Sequence, residues 1–367
     1  MGDKKIIFFL VAMSSVSIIN TTGKTSLPPR LKWQIAWNTA NSLPAFPHTE
    51  KNIGVAGAFS GFAGDELIIT GGANFPQKMP WEGGRKNWER SLYYANTGSP
   101  DFQWGIINDF LPGAVAYGVS VQLPEGVLCI GGCDAQQCFD DVFLIYKERG
   151  TFKISHDWPS LPVPLANATG ALLNNRIYIA GGQEKMIEEN ATNHFFMLDL
   201  NHKDKGWIRL PSWDGGARGY AVSVAGGNGE GGGFYLFSGR NYNSSGYLEI
   251  LTDGHRYDPC RNEWTRLQGT FPVMAGTALV WKEDIIFFGG VTKILPGSCE
   301  HPGFENILRV YDRVLHMFIH EEILPFAVPV TTNIAKRENR FYITSGEIKP
   351  GMRIASVYEG QIVPLEK

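Results

Sequence analysis

Leu67-Ile68-Ile69-Thr70-Gly71-Gly72 is an apolar run that stops on two glycines, and the chain repeats this pattern five more times. The copies are VLCIGG from Val127, IYIAGG from Ile177, FYLFSG from Phe234, IIFFGG from Ile285 and FYITSG from Phe341. Successive starts lie 60, 50, 57, 51 and 56 residues apart. One such ending would suit any β-sandwich. Six copies at this spacing indicate a repeat architecture in which each copy belongs to one supersecondary unit.

Each copy is preceded by a strand of small residues: VAGAF from Val55, AYGVS from Ala116, ATGAL from Ala168, ARGYAV from Ala217, MAGTAL from Met274 and VPVTTNIA from Val328. Small side chains suit an innermost strand, where neighbouring units crowd around a central axis. Downstream stand Trp104, Trp158, Trp207 and Trp264, placed 33, 27, 26 and 26 residues after their motifs. The fifth copy carries Met317-Phe318 at that place, and the sixth runs to Lys367 without an equivalent. The missing strand is LKWQIAWN at residues 31–38, followed by Leu43-Pro44. The pattern predicts an all-β, six-bladed propeller of the kelch type over residues 24–367. Its N-terminal strand completes the last blade, which leaves no open sheet edge.

Composition agrees with many short strands. The 367 residues include 43 Gly and 21 Pro, a content that would weaken helices and suits tight turns. The formal net charge is −3, without a block of like charges, which argues against nucleic acid as a partner. At the N-terminus Lys4 and Lys5 precede an apolar run from Ile6 to Met13 that continues weakly to Ile19. Residues 1–23 read as a signal peptide, with a periplasmic or secreted product and no stable membrane insertion; an uncleaved anchor is the other reading. There are five cysteines. Cys129 lies within an apolar strand, and Cys133 and Cys138 are close enough for a small-loop disulfide. Five unpaired thiols is the alternative. Asn20, Asn167, Asn190 and Asn243 begin N-x-Ser/Thr sequons.

In a propeller the loops at one mouth of the channel are the natural place for chemistry. The segments before the innermost strands and after the doublets hold Asn74, Glu82, Arg85, Tyr117, Asp134, Arg218, Arg240, Glu347 and Arg353. The last motif stands apart. Glu347 follows its strand directly, and Arg353 comes six residues later across Pro350-Gly351, so a carboxylate and a guanidinium can face one ligand.

The segment GEIKPGMR at residues 346–353 resembles the G-E-A-K-P-G-L-R signature of the sialic acid mutarotases, also called N-acetylneuraminate epimerases. The stretches GVAGAFSGFAGDELIITGGANFP from Gly54, WEGGRKNW from Trp81, AYGVSVQLPEGVLCIGG from Ala116 and VMAGTALVWKEDIIFFGGV from Val273 are similar to the same family. The blade order resembles a cyclically permuted branch, because here the Glu-bearing blade comes last. The resemblance implies that Glu347 is the general acid/base, with Arg353 as its partner. It also implies Arg353 or Arg218 as the anchor of the ligand carboxylate, and Glu82, Tyr117 and Asn74 as contacts to hydroxyl and N-acetyl groups. The implied reaction exchanges the α and β anomers of sialic acid by acid/base ring opening and reclosure, with no metal and no organic cofactor. Two departures are visible. The family's Gly-Gly-Glu reads Gly132-Cys133-Asp134 here, and the WEGGRK loop matches loosely.

Other classes fit less well. A non-catalytic kelch propeller binding a glycan or a protein through the same mouth is the alternative reading. A copper radical oxidase needs two His and two Tyr converging on the metal, and the eight histidines show no such spacing. Repeated Asp-boxes and an arginine triad, the marks of a sialidase, are not evident.

Overall fold

The computed structural model describes residues 31–45, 50–99, 102–187, 191–227 and 232–365. The expected signal peptide, Asn20 and Asn190 lie outside the described residues.

Six four-stranded antiparallel sheets form the six blades of a β-propeller. Blade 1 runs outward from Phe59–Ala63 through Glu66–Thr70 and Leu92–Asn96 to Gly105–Ile107. Blades 2 to 5 repeat this order, starting on Val119–Gln122, Thr169–Leu173, Val222–Gly226 and Thr277–Trp281. Each GG or SG doublet follows the second strand of its blade or, in blade 5, ends it, as the repeat predicts. Blade 6 takes Ile334–Arg337, Arg340–Ile343 and Ser356–Pro364 from the end of the chain and Trp33–Ser42 from its start. Trp33 pairs with Pro364 and Ser42 with Ser356, with a bulge between Asn38 and Asn41. The closing strand thus lies where the sequence places it and extends to Ser42 rather than ending at Asn38. Its Trp37 meets Phe288, Phe326 and Phe341 edge to face, and Trp33 Nε1 donates to Asp284 of blade 5 at 2.6 Å.

Alternating apolar residues on both faces of each blade leave no single core. Instead, one apolar cluster fills each seam between neighbours. At the seam between blades 6 and 1, Phe62, Leu67 and Tyr93 pack with Tyr342 and Val357. Phe59, Leu92 and Leu111 of blade 1 pack with Val127 and Phe143 of blade 2 at the next seam.

The doublets also stitch the seams. The second glycine donates its N–H to the carbonyl that leads into the next blade: Gly72 to Val115, Gly132 to Leu165 and Gly182 to Arg218, at 2.8–2.9 Å. Where serine replaces the first glycine, its hydroxyl adds a bond to the following blade. Ser238 Oγ accepts from Val273 N–H, and Ser345 Oγ accepts from Val55 N–H, both at 2.8 Å. The serines are therefore cross-blade links rather than degenerate copies.

Around the channel runs a belt of one residue per blade: Gly57, Tyr117, Asn167, Tyr220, Ala275 and Thr331. All six have φ between 48° and 71°. Each N–H donates to the carbonyl of the belt residue before it, at 2.7–2.9 Å, around the full circle. Left-handed backbone costs a non-glycine residue about 1–2 kcal/mol, and a closed ring of hydrogen bonds holds five such residues there. In exchange, their side chains reach the mouth of the channel. Among the described residues no helix is long and apolar enough to cross a membrane.

Candidate active site at the channel mouth

The residue after each doublet pairs with the residue before each belt position: Ala73 with Ala56, Cys133 with Ala116, Gln183 with Ala166, Arg240 with Gly219, Val291 with Met274 and Glu347 with Val330. Six equivalent backbone places therefore ring the mouth, and only Glu347 puts a carboxylate there. From it springs a hairpin, Gly346–Lys349 against Met352–Ile354, in which Glu347 is the register partner of Arg353.

This hairpin is clamped from both sides. Blade 1 sends an insertion across it, built on Ala73–Asn74 paired with Asn87–Trp88 and carrying the short 3-10 turn Pro80–Glu82. At Gly351, with φ +80°, a Cβ would stand 2.3 Å from Pro80 Cδ, so only glycine lets the two segments touch. On the other side Phe304 N–H donates to the Ile348 carbonyl at 3.0 Å. The buried His301 has its basicity pushed down by burial and by Lys349, with Glu347 acting in the opposite direction.

A cavity of about 270 Å³ opens here, lined by Phe75, Pro80, Lys86, Tyr117, Cys133, Asn167, Met186, Tyr220, Thr331, Glu347, Gly351 and Arg353. Its floor is the belt, since Tyr117, Asn167, Tyr220 and Thr331 also line the channel beneath. The volume lies near the lower end for small-molecule sites. Among the described residues no group of three or more His, Cys, Asp or Glu is placed to hold a metal ion.

Glu347 Oε1 accepts from the Gly351 N–H, and Oε2 lies 3.6 Å from Arg353 Nη2. The Arg353 side chain is 4% exposed, and its guanidinium lies 4.6 Å over the Phe75 ring. Its Nε and Nη1 are buried without a hydrogen-bond partner. A buried guanidinium with open N–H groups is costly unless something pairs with it, and a planar carboxylate matches it in geometry. Tyr117 stands beside it. Burial pushes its phenol up to about 12, with Arg353 partly offsetting that, so it remains a neutral hydroxyl.

The structure brings together Glu347, Arg353 and Tyr117, and leaves the other candidates elsewhere. Arg218 is fully buried: Nη1 and Nη2 grip both oxygens of Asp253 at 3.0 and 2.8 Å, and His255 Nε2 joins the same carboxylate at 2.7 Å. It occupies the lead-in position filled by Val55, Val115, Leu165 and Val273 in other blades, two residues before the belt, and faces the seam instead of the mouth. Aligning the repeats column by column would have shown this. Asn74 is buried behind the cavity wall, donating to Gly54 O and Glu89 Oε1, both at 3.1 Å. Glu82 is exposed and accepts from Met79 N–H, closing its own turn. Asp134 caps its loop through the Gln136 and Gln137 N–H groups. Arg240 lies 4.4 Å over the Tyr220 ring at the mouth. Cys133 and Cys138 face each other across an isolated bridge, and all five cysteines are free thiols. Lys86, Tyr220, Thr331 and Met186 are cavity residues that the sequence did not single out, and Asn167 was marked only as a sequon. Only the belt register marks three of them.

A sequence model of the N-acetylneuraminate epimerase family matches residues 22–154 and 158–298. The chain belongs to that family. The N-acetylneuraminate epimerase of Yersinia pestis (strain Pestoides F) is 26% identical over 237 residues, covering 56% of this chain and 58% of that protein. Those of Shigella sonnei (strain Ss046) and Escherichia coli O1:K1 are 27% identical over 229 residues, 55% of this chain and 59% of each protein. The chain thus spans about three fifths of the length of the curated relatives it matches. The family match ends at residue 298, before the hairpin that carries Glu347 and Arg353.

Proposed function

We propose that this propeller interconverts the α and β anomers of N-acetylneuraminic acid. The observation that carries the reading is Arg353: a buried guanidinium with two partnerless nitrogens, set beside a carboxylate in a cavity of about 270 Å³. In this reading Arg353 takes the sugar's carboxylate in its fork. Glu347 takes the proton of the neighbouring anomeric hydroxyl. The bond from the anomeric carbon to the ring oxygen opens, the ring oxygen receives a proton, and the ketone recloses on its other face. Tyr117, neutral and lining the cavity, supplies a hydroxyl to the ring substituents. No metal or organic cofactor enters this scheme.

The family name supports the substrate class, and the order of blades supports a cyclic permutation. In a closed ring the termini meet in one blade, so moving them leaves the mouth intact. We also infer export of the ring, residues 24–367, directed by residues 1–23 to the periplasm or the medium. Lys4, Lys5 and the apolar run after them are the support.

The test is proton NMR of the α anomer, freshly released by a sialidase, with and without the protein. Faster decay of the α signal supports the reading. Decay at the spontaneous rate, with the sugar nonetheless bound, would make the propeller a binding module.

A further inference from the structure

Tyr117 is fixed in place at three levels. Its backbone belongs to the belt, with φ 61°; its N–H donates to the Gly57 carbonyl and its carbonyl accepts from the Asn167 N–H, both at 2.8 Å. Its ring lies on Gly57, where any Cβ would come within 2.5 Å of Tyr117 Cδ1. Trp88, paired with Ala73 in the blade 1 insertion, meets that ring edge to face at 6.0 Å. Belt, glycine seat and aromatic neighbour thus hold the phenol in the cavity that Glu347 and Arg353 also line.

The Tyr117 hydroxyl is hydrogen-bonded by Arg353. A guanidinium only donates, so the phenol oxygen accepts there and its own proton is not committed to that bond. The same guanidinium lies 3.6 Å from Glu347, so one cation adjoins a carboxylate and a phenol. Burial keeps the phenol protonated, and Arg353 acts in the opposite direction by favouring the phenolate. Tyr117 therefore has a proton to give and a neighbour that steadies what remains.

Opening a pyranose ring moves two protons: one leaves the anomeric hydroxyl and one reaches the ring oxygen. In N-acetylneuraminic acid both oxygens are bonded to the carbon that carries the carboxylate. Held by the Arg353 fork, that carboxylate brings both oxygens to the place where Glu347 and Tyr117 meet Arg353.

We propose that Tyr117 is the acid of the exchange: beyond contacting the sugar, it gives its phenolic proton to the ring oxygen while Glu347 takes that of the anomeric hydroxyl. The inference rests on the reading of the cavity as a mutarotase site. On opening, the bond from the anomeric carbon to the ring oxygen breaks and its electron pair stays on that oxygen, which receives the Tyr117 proton. The electron pair of the anomeric O–H bond forms the ketone, and its proton goes to Glu347. Reclosure on the other face reverses both transfers. The former ring oxygen attacks the ketone and returns its proton to the phenolate, and Glu347 protonates the ketone oxygen. Both residues end as they began.

Anomer-exchange rates, corrected for the spontaneous reaction, test this beside titrations with the α-methyl glycoside, which has no anomeric proton and cannot open. Tyr117→Phe keeps the ring on Gly57 and removes the hydroxyl. Its exchange should fall by ~10²–10⁴-fold with glycoside affinity little changed. Replacing Tyr117 by 3,5-difluorotyrosine keeps the hydroxyl and makes it ionise at lower pH, and it serves equally if the phenylalanine variant does not fold. The wild-type phenol, pushed up to about 12, stays protonated through mildly alkaline conditions, so its exchange should show no decline there. The fluorinated protein should lose exchange as pH rises through its lower phenol value. Full exchange in Tyr117→Phe overturns the proposal, as do identical alkaline profiles for the wild-type and fluorinated proteins. An equal loss of rate and glycoside affinity also overturns it and makes Tyr117 a binding residue. A wild type that does not speed exchange overturns the mutarotase reading and this proposal with it. An active wild type beside a fully active Tyr117→Phe overturns this proposal alone.

Discussion

The Gly57 N–H donates to the Thr331 carbonyl at 2.7 Å and closes the six-membered belt around the channel. The two residues lie in the first and last blades, so the bond forms only when the ring does. It also ties the site to the closure. Thr331 and Tyr117 line the floor of the cavity, and Tyr117 N–H donates in turn to the Gly57 carbonyl at 2.8 Å.

Gly57→Ala should therefore damage both stability and binding. A Cβ at Gly57, where φ is +71°, would lie 2.5 Å from the Tyr117 ring and 2.7 Å from its backbone nitrogen. Strain in the left-handed region alone amounts to about 1–2 kcal/mol, and the contact displaces Tyr117 as well. A lower thermal midpoint with a matching loss of sugar affinity is the expected result. Unchanged values for both would show that the belt does not set the site.

Glu347→Gln keeps size and hydrogen bonding but cannot accept a proton near neutral pH. Anomer exchange should fall by ~10²–10⁴-fold while binding survives, read by decay of the α signal alongside a titration. Full activity would remove Glu347 as the proton carrier, and equal loss of rate and binding would make it a ligand contact.

Arg353→Lys keeps the charge and loses the fork. The acid should bind roughly 10- to 100-fold more weakly, the equivalent of losing one hydrogen bond to a charged group. Isothermal titration measures this, and an unchanged affinity would move the anchor elsewhere.

Asp253→Asn should cost about 3–5 kcal/mol at neutral pH, because it leaves Arg218 buried beside a group that no longer balances its charge. Burial opposes ionisation of Asp253, but His255 and Arg218 outweigh it and hold the carboxyl well below its ordinary value. With the folded value depressed, the stabilisation is present above the unfolded value near ~4 and is lost as pH falls below it. The gap in thermal midpoint between wild type and variant should accordingly be constant from about pH 7 to 5 and shrink under more acidic conditions. A gap independent of pH would mean the pair adds no charge-dependent stability.

Much of the architecture was legible in the chain because a propeller writes its period into local chemistry. The doublets, the small innermost strands and the phased tryptophans each reflect a constraint that one blade imposes on itself. Residues 31–38 could be assigned to the last blade because that blade lacked a strand and no other did. Glu347 was legible for the same reason: it follows a doublet directly, and a rigid strand end fixes where the next residue stands. The match of Glu347 to Arg353, six positions apart, needed only a hairpin across Pro350-Gly351.

What spans blades was not legible. Arg218 and Arg353 are both arginines on channel-side segments; the repeat register places Arg218 two residues before the belt, but only packing gives each its partner. One faces Asp253 in the seam between blades 3 and 4, while the other lies in the cavity with Nε and Nη1 unpaired. Lys86 comes to the site because an insertion of blade 1 folds over the Gly351 turn of blade 6, a contact between residues distant in sequence. The sequence by itself determined the repeat, the place of each doublet and the acid behind the last one, since these depend on neighbours along the chain. Tertiary structure alone decided which charged side chains share the cavity. Belt closure, seam burial and the clamped hairpin are set by residues that meet only when all six blades are in place.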